Sequence, residues 1–331
     1  MNDRVVGLLD QYEIEMLRTR KGRGAIICDT DRGCLIFKEY SGNPEKIKLQ
    51  DRVLKKICET GVVPVERIIP NKEEVLLTED GDGKKYVLKS CCEGRECNSR
   101  DLEECREAVR ALASLHKAMC LTEEETEQFG LSPFSLEREQ EKHNRELRRV
   151  RRYLREKGQK SVFESALLRE YDYFLAQASE VANDWKVFAS DSDLAYIREQ
   201  GMLCHGDYQY HNILHCGQGF AVVNFEHCMM DNPIRDLCLF MRKLLEKNGW
   251  SRKWGEELLK VYCDERPLSA RSYVELYYRL AYPEKFWKIV NFYYNSRKVW
   301  IPERNREKLQ LVVEQEKEKQ AFLDAVFRTI A

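Results

Sequence analysis

The first part of the chain alternates short runs of β-branched and aromatic residues with turn residues, a pattern typical of antiparallel strands. The predicted strands are Glu13–Thr19, Ala25–Thr30, Cys34–Tyr40, Glu74–Thr78 and Tyr86–Lys89. Between the third and the fourth, apolar residues recur at helical spacing from Pro44 until Gly61, which predicts one helix. We therefore predict that residues 1–93 form an N-terminal β-rich lobe, a small antiparallel sheet with one helix.

After residue 93 the apolar positions change to a helical period. The predicted helices are Leu102–Met119, Leu136–Lys157, Phe163–Ala182, Pro233–Lys247, Trp254–Cys263, Ser272–Trp300 and Asn305–Phe327. The second of them is rich in arginine and has a thin apolar stripe, which favours a solvated helix packed on one face over a nucleic-acid role. Residues 94–331 are thus predicted to form a large, mostly helical C-terminal lobe.

Composition narrows the class of protein. Hydrophobic residues make up 43% of the 331 residues, enough for a large core, and the formal net charge of −1 gives no argument for binding nucleic acid or an acidic lipid surface. The N-terminus does not resemble a signal peptide and no apolar run approaches ~20 residues, so we expect synthesis in a cytosol and no membrane span. The 13 cysteines lack the spacing of a zinc ribbon or a disulfide scaffold and are expected to be buried, reduced thiols.

One polar loop carries the candidate chemistry. It runs from His205 to Asn212 in the sequence HGDYQYHN and is followed by predicted strands at Ile213–His215 and Ala221–Phe225. Asp207 and Asn212 are five residues apart, the spacing of a kinase catalytic loop. A carboxylate there can accept the proton of a substrate hydroxyl, and an amide oxygen can help to hold a magnesium ion. For His205 we favour a structural bond to the loop backbone over a role as base.

The HGDxxxxN loop, followed twelve residues after Asn212 by Asn224-Phe225-Glu226, resembles the aminoglycoside phosphotransferase and choline kinase superfamily. This resemblance implies an α+β, bilobal, protein-kinase-like fold that uses ATP and Mg²⁺, with Asp207 as the catalytic residue. It places Lys38 on the nucleotide phosphates and makes Val87–Cys92 the hinge, where Cys91 would meet the adenine.

Several other positions can be matched to the superfamily pattern less completely. Gly22 and Gly24 lie where a phosphate-covering loop would be, although they also fit a simple turn. Gln50 or Asp51 stands where a glutamate would pair the lysine, which leaves that ion pair open. Asp236 matches a position that braces the catalytic loop from the following helix.

The metal site departs from the superfamily pattern at Asn224, where an aspartate is expected. Asparagine offers an oxygen without charge, whereas magnesium favours carboxylates. The candidate ligands are therefore Asn212, Asn224 and Glu226, the last as a possible compensation. From this we expect weak or absent binding of ATP and Mg²⁺, as in a pseudokinase.

A narrower resemblance covers essentially the whole chain. The strand LIFKEY, the hinge YVLKSCCEGRE, the LASLH helix, the HGD loop and the tail Leu280–Trp300 are similar to the CotS-type spore coat proteins, with Tyr282–Trp287 as the most specific piece. The resemblance implies sporulation, synthesis in the mother-cell cytoplasm and then a place in the spore coat among other coat proteins. The tail is rich in aromatic residues, which at helical spacing are mostly core; a pocket for a cation or an exposed docking surface are the alternatives.

Two functions remain in view. The first is a spore-coat-associated, kinase-like protein that is catalytically weak or inactive and acts in coat assembly. The second is an active ATP-dependent phosphotransferase that acts on the hydroxyl of a small molecule. Asn224 is the residue that separates them, because it decides the charge of the metal site.

Overall fold

The structure is a computed structural model and describes residues 7–22, 24–217, 219–296 and 303–327. The chain divides into two compact units, Met1–Leu131 with Gln200–Asp236, and Ser132–Glu199 with Leu237–Ala331. The loop from His205 to Asn212 thus belongs to the same unit as the N-terminal sheet. The lobes predicted at residues 1–93 and 94–331 have other bounds and stay a prediction.

The first unit is built on antiparallel strands. They are β1 (Met16–Lys21), β2 (Ala25–Thr30), β3 (Gly33–Glu39), β4 (Ile68–Ile69), β5 (Thr78–Glu79), β6 (Lys85–Ser90), β7 (Arg95–Glu96), β8 (Leu203–Cys204), β9 (Ile213–His215), β10 (Phe220–Val222) and β11 (Met229–Met230). The main sheet has the order β1-β2-β3-β6-β4, with β5 also paired to β6. Smaller sheets join β10, β9 and β7, and β11 with β8.

The register between β3 and β6 places two lysines on one face of the main sheet. Lys38 pairs with Val87 and Ile36 pairs with Lys89. Directly opposed residues share a face, and so do residues two apart on one strand. Lys38 and Lys89 are therefore diagonal neighbours on the same face.

The strand predicted at Glu74–Thr78 is wrong over most of its length, since only Thr78–Glu79 pairs with β6. The side chain of Asn71 accepts hydrogen bonds from the N–H groups of Glu73 and Val75. Glu74 has a φ of 58°, in the left-handed region. A local turn of this kind competes with strand pairing and keeps the segment in a loop.

Three helices of the first unit follow clear local signals. They are α1 (Pro44–Thr60), α2 (Leu102–Ala118) and α3 (Glu123–Gln128). The side chain of Asn43 accepts from Glu45 N at the start of α1, and Gly61 ends that helix with a φ of 63°. Thr122 forms a capping box with Glu125 at the start of α3, a helix that we did not predict.

The second unit is helical. Its helices are α4 (Leu136–Glu156), α5 (Val162–Phe188), α6 (Asp191–Glu199), α7 (Ile234–Lys247, whose first turn belongs to the first unit), α8 (Arg252–Glu265), α9 (Ala270–Ala281), α10 (Glu284–Asn295), α11 (Glu303–Glu314) and α12 (Glu316–Val326). The single helix predicted over Ser272–Trp300 is wrong, because it breaks at Tyr282-Pro283, where proline cannot continue the hydrogen bonding. The helix predicted over Asn305–Phe327 likewise divides at Gln315.

Aromatic residues of the tail help to form the core of the second unit. The ring of Phe286 stacks on that of Phe174, with centroids 4.5 Å apart, and meets the edge of Tyr171 at 5.4 Å. Tyr282 is buried in the same cluster. Phe292 is exposed, and the predicted Trp300 lies outside the described residues. The prediction that the aromatic residues of the tail are core residues therefore holds for Tyr282 and Phe286, which are buried in this cluster.

Two expectations about the chain as a whole can be compared with the structure. The helices in its described part include none that combines the length and apolar character needed to cross a membrane. All 13 cysteines are free thiols, of which six are buried, six are half-buried and one, Cys120, is exposed. The expectation of buried thiols therefore holds for about half of them.

Candidate functional site

The structure brings Asp207, Asn212 and Asn224 together within the first compact unit. The Asn212 Nδ2 donates to Asp207 Oδ2 at 2.9 Å, and the Asn224 Nδ2 donates to Asn212 Oδ1 at 2.8 Å. The hairpin of β9 and β10 explains the second contact, because Asn212 precedes β9 and Asn224 follows β10. The other carboxylate oxygen of Asp207 accepts from Gln209 at 2.7 Å. Every oxygen of the candidate base is therefore held by an amide.

Asp236, in the first turn of α7, braces this loop. Its carboxylate is fully buried and accepts from His205 N at 2.6 Å and from Gly206 N at 2.9 Å. The His116 Nε2 lies 3.2 Å from the same carboxylate. Burial acts to raise the pKa of Asp236, but the hydrogen bond and charge of His116 and the neighbouring His205 outweigh it, so that the pKa is lowered. A charged Asp236 is thus the form that holds the loop.

His205 and Gly206 serve the backbone of the loop. His205 is fully buried, with Nδ1 accepting from Asp207 N at 3.2 Å and Nε2 3.0 Å from Val223 O. Both ring nitrogens are engaged by backbone, which favours the structural role over that of a base. Gly206 has a φ of 80°, and a Cβ there would lie 2.1 Å from His227 O. Only glycine fits this close approach.

Asn224 starts a tight turn that orients Glu226. It has a φ of 67°, a left-handed conformation that asparagine tolerates better than most residues. A 3-10 turn over Phe225–His227 follows directly. Glu226 then reaches the sheet face that carries Lys38 and Lys89.

Glu226 is shared by two lysines. Its Oε1 forms an ion pair with Lys38 at the end of β3 and accepts from Lys89 Nζ at 2.8 Å. Lys89 is almost completely buried and also donates to Glu66 Oε1 at 2.9 Å. Glu66 in turn accepts from Phe225 N at 3.3 Å, which ties the turn after Asn224 to the sheet. The four charges balance one another, as a buried cluster requires.

The pKa values show how strongly this cluster favours its charged form. Burial acts to raise the pKa of Glu226, but Lys89 and Lys38 outweigh burial and lower it to about 2. Burial acts to lower the pKa of Lys89, while Glu66 and Glu226 outweigh it and raise that pKa. Both partners thus remain ionised at neutral pH.

The partner of Lys38, which the sequence left open, lies outside α1. Asp51 pairs with Lys55 at 2.6 Å, and the Nε2 of Gln50 is buried without a hydrogen-bond partner. Glu226 pairs with Lys38 instead. Sequence reasoning also missed Lys89 and Glu66. A lysine inside the apolar strand YVLKS was the available signal, because a buried lysine requires carboxylate partners.

The remaining predicted nucleotide contacts lie along the main sheet. Gly22 and Gly24 form the turn between β1 and β2, where Gly22 N donates to Ala25 O at 2.8 Å and Gly24 has a φ of 70°. The turn alone therefore accounts for both glycines. Cys91 follows β6, and its N–H donates to Cys34 O at 2.9 Å. The backbone donor of Cys91 is thus used within the sheet.

Comparison with known proteins identifies the family. A family described as "Spore coat putative kinase YutH" matches residues 7–326. The chain belongs to this family. Spore coat protein S of Bacillus subtilis (strain 168) is 23% identical over 320 residues, which are 94% of this chain and 89% of that protein. The predicted spore coat family is therefore confirmed.

Solved structures confirm the α+β, protein-kinase-like fold class of this family member. The aminoglycoside phosphotransferase from Alicyclobacillus acidocaldarius subsp. acidocaldarius has a TM-score of 0.83 and 19% identity, over 100% of this chain and 96% of that one. The spectinomycin phosphotransferase solved with ADP and spectinomycin has a TM-score of 0.70 and 14% identity, over 96% and 97% of the chains. At these identities the likeness shows the fold, since one fold hosts many functions.

In this member of the spore coat family, the candidate ligands Asn212, Asn224 and Glu226 do not fit a divalent cation as they are arranged. The two asparagines carry no charge and bond to each other. The Glu226 carboxylate is neutralised by two ammonium groups. Magnesium favours carboxylate oxygens that are free to approach it. In the described part of the chain, no group of three or more His, Cys, Asp or Glu side chains is arranged to hold a metal ion.

Proposed function

We propose that this protein is a spore-coat-associated, kinase-like protein with weak or absent catalysis that acts in coat assembly. The observation that carries the proposal is the charge balance at the site. Lys38 and Lys89 are neutralised by Glu226 and Glu66, and the position of an expected aspartate holds the neutral Asn224. A nucleotide phosphate at Lys38 would share the ammonium group with Glu226, and position 224 offers no aspartate to bring a magnesium ion to that phosphate.

Nucleotide binding is the part of this function that the fold supports. The spectinomycin phosphotransferase of the same fold was solved with ADP. We propose that ADP or ATP binds weakly, with Lys38 near the phosphates, Gly22 and Gly24 above them and Cys91 near the adenine. Asn212, Asn224 and Glu226 would be the residues nearest to a metal ion, held loosely or not at all.

The coat role rests on the family. The family description and the name of Spore coat protein S both place relatives in the spore coat. We propose synthesis in the mother-cell cytoplasm, followed by incorporation into the coat through contacts with other coat proteins. Neither nucleic acid nor a membrane is part of this proposal.

An active ATP-dependent small-molecule phosphotransferase is the second candidate. The observation in its favour is the intact loop, in which Asp207 meets Asn212 and Asp236 holds the backbone. Asp207 would then accept the proton of a substrate hydroxyl. This candidate needs a metal site that the present donor set does not supply.

Thermal unfolding with nucleotide separates the two candidates. A ligand that binds the folded state raises the melting temperature, by an amount that corresponds to ~2.7 kcal/mol at a hundredfold excess over Kd. We expect a small ADP-dependent shift without magnesium and little further shift when magnesium is added. A large magnesium-dependent shift together with phosphate transfer to a small alcohol would instead establish the enzyme.

Asn224→Asp tests the account of the metal site directly. The variant adds one carboxylate beside Asn212, so we expect magnesium-dependent nucleotide binding to strengthen. Asn295→Asp adds the same charge at an exposed position and should leave binding unchanged. If Asn224→Asp binds magnesium and nucleotide no better than the parent, the charge argument is wrong.

A further inference from the structure

A groove on the surface of the second unit is lined almost entirely by arginine. Its volume is about 400 Å³, and its walls are Arg148, Arg151, Arg152, Arg155 and Glu156 of α4. We call these residues the arginine groove. None of them belongs to the candidate nucleotide site, and all lie within one compact unit.

The helical repeat of α4 explains how the groove forms. Leu147, Val150 and Leu154 are buried in the core of the unit. Arg148, Arg152 and Arg155 therefore project from the outer side, at a spacing of four and three residues that aligns them along one stripe. Seven residues of helix span ~10 Å, so these three cations form a short linear array.

Part of the groove is held in place by the neighbouring helix. Asp172 of α5 lies 2.5 Å from Arg151 and 3.1 Å from Arg155. A carboxylate between two guanidinium groups fixes their direction but neutralises one charge. Across the described residues, by contrast, no carboxylate forms an ion pair with Arg148 or Arg152. Four arginines against Glu156 and Asp172 leave a net positive charge in the groove.

A second groove continues the first toward the start of α4. It has a volume of about 290 Å³ and is lined by Glu141, Asn144, Arg145, Arg148, Ser179, Ala182, Asn183 and Lys186. Arg148 lines both grooves, so they adjoin along α4, and we call the two together the trough. Glu141 pairs with Lys186 at 2.9 Å and with Arg145 at 3.9 Å, and Glu137 pairs with Lys186 at 3.1 Å. These two carboxylates offset Lys186 and Arg145, so that the excess positive charge of this half comes from Arg148, and its remaining polar groups can form hydrogen bonds. From Arg145 to Arg155 the trough extends over ~15 Å of helix.

We propose that the arginine groove binds an acidic, extended segment of another coat protein, an inference that rests on the proposed role in coat assembly. Guanidinium groups bind carboxylates with two parallel hydrogen bonds, which suits a row of Glu or Asp side chains. A strand has ~3.3 Å per residue, so about five residues span the trough. The unpaired Arg148 and Arg152 are the central contacts, and the polar groups of the second groove bind the backbone of the segment.

A protein segment fits the groove better than nucleic acid. Binding of single strands depends on aromatic side chains on which bases stack. The residues that line the two grooves, all within the described chain, include no aromatic ring. The formal net charge of −1 also gives the whole chain no general attraction for a polyanion. Recognition must therefore be local to the groove.

The test measures binding of a fluorescent peptide of about ten glutamates, roughly twice the length of the trough at ~3.3 Å per residue. The full-length protein is titrated into the peptide and fluorescence anisotropy is recorded. The test variant is Arg148→Glu with Arg152→Glu. The control is Arg252→Glu with Arg306→Glu, two exposed arginines of the same unit whose reversal changes the net charge equally.

We expect the test variant to bind the peptide at least about tenfold more weakly than the parent, because two attractions become repulsions, and the control variant to bind within about twofold. Binding by the parent should also be lost at about 1 M salt, where the Debye length is ~3 Å. Arg148→Ala with Arg152→Ala, which adds no repulsion, should show a smaller loss of the same kind. Equal loss in the test and control variants would overturn the proposal.

Two further measurements separate an acidic protein segment from a different ligand of the groove. An oligothymidylate of equal charge that binds as tightly as the peptide would overturn the choice of a protein partner. Salt-sensitive self-association through Arg148 and Arg152, seen by sedimentation, would identify a second copy of this chain instead and also overturn it.

The nucleotide site provides an internal reference for the same variants. The ADP-dependent thermal shift should be the same in the Arg148→Glu, Arg152→Glu variant and in the parent, because neither arginine belongs to that site. A loss of peptide binding with an unchanged ADP-dependent shift concerns the arginine groove alone. A parent protein that shows no ADP-dependent shift concerns the proposed nucleotide site alone.

Discussion

The ion pairs of Glu226 permit a quantitative prediction. Glu226→Gln keeps the size of the side chain and one carbonyl oxygen but removes the charge that Lys38 and Lys89 share. Lys89 and Lys38, working against burial, lower the pKa of Glu226 from 4.5 to about 2. At ~1.4 kcal/mol per pH unit, this shift corresponds to ~3 kcal/mol of folding free energy above pH 5. Because the side chain is 22% exposed, solvent screening makes this an upper bound, and we expect a loss of ~2–3 kcal/mol at pH 7.

The stability lost in Glu226→Gln should depend on pH. Between pH 4.5 and pH 2 the unfolded chain holds a proton on Glu226 that the folded protein does not. The contribution of Glu226 is therefore complete above pH 4.5 and disappears as the pH falls toward 2. The difference in free energy of unfolding between parent and Glu226→Gln should be constant from pH 7 to about pH 5 and then shrink.

Urea unfolding at a series of pH values measures this difference, provided that the slope against urea stays the same. Glu45→Gln is the control, since Glu45 is exposed and its ion pair is with the exposed Lys48, and it should change stability by less than ~0.5 kcal/mol. A difference in unfolding free energy below ~1 kcal/mol at pH 7 between the parent and Glu226→Gln would show that the ion pairs of Glu226 stabilise the fold less than we infer. A difference that does not change between pH 7 and pH 3 would show that charge is not its cause. The variant should also bind ADP more tightly without metal, because Lys38 is released.

Three further substitutions test other parts of the structure. Lys89→Met leaves Glu66 buried without a cation and should destabilise the protein by ~3–5 kcal/mol in urea unfolding, with partial recovery when Glu66→Gln is added. Asp236→Asn removes a charged acceptor of two N–H groups and should lower stability by ~3 kcal/mol and weaken nucleotide binding; unchanged values for both would refute its bracing role. Burial lowers the pKa of Lys319 to about 8 from 10.5, so the stability of the parent relative to Lys319→Met should rise as the pH increases between those values, as measured by urea titrations of both proteins.

Local chemistry made several elements predictable from sequence. Helix α1 begins after Asn43, whose side chain caps it, and ends at Gly61, whose left-handed φ few other residues adopt. The predicted bounds of that helix match the structure for this reason. Strands β2 and β9 also match, because short apolar runs between turn residues leave little freedom in where a strand starts or ends.

Two errors show where local reasoning was incomplete. The break at Pro283 was visible in the sequence, yet the aromatic period on both sides concealed it. The break between α11 and α12 had no such signal. There the side chain of Gln315 donates to Glu246 O at 3.0 Å, a contact between residues 69 apart in the chain. Such a break depends on packing that no short window of sequence contains.

The sequence by itself determined the fold class and the members of the polar loop, because period, turn residues and the spacing from Asp207 to Asn212 act over a few residues. Only the tertiary structure decided which charges meet. Lys89 contacts Glu66 across 23 residues and Glu226 across 137, through the register of β3 with β6 and the left-handed turn at Asn224. A buried ammonium must find carboxylates wherever the fold brings them, since an unpaired charge in a core costs too much free energy to persist.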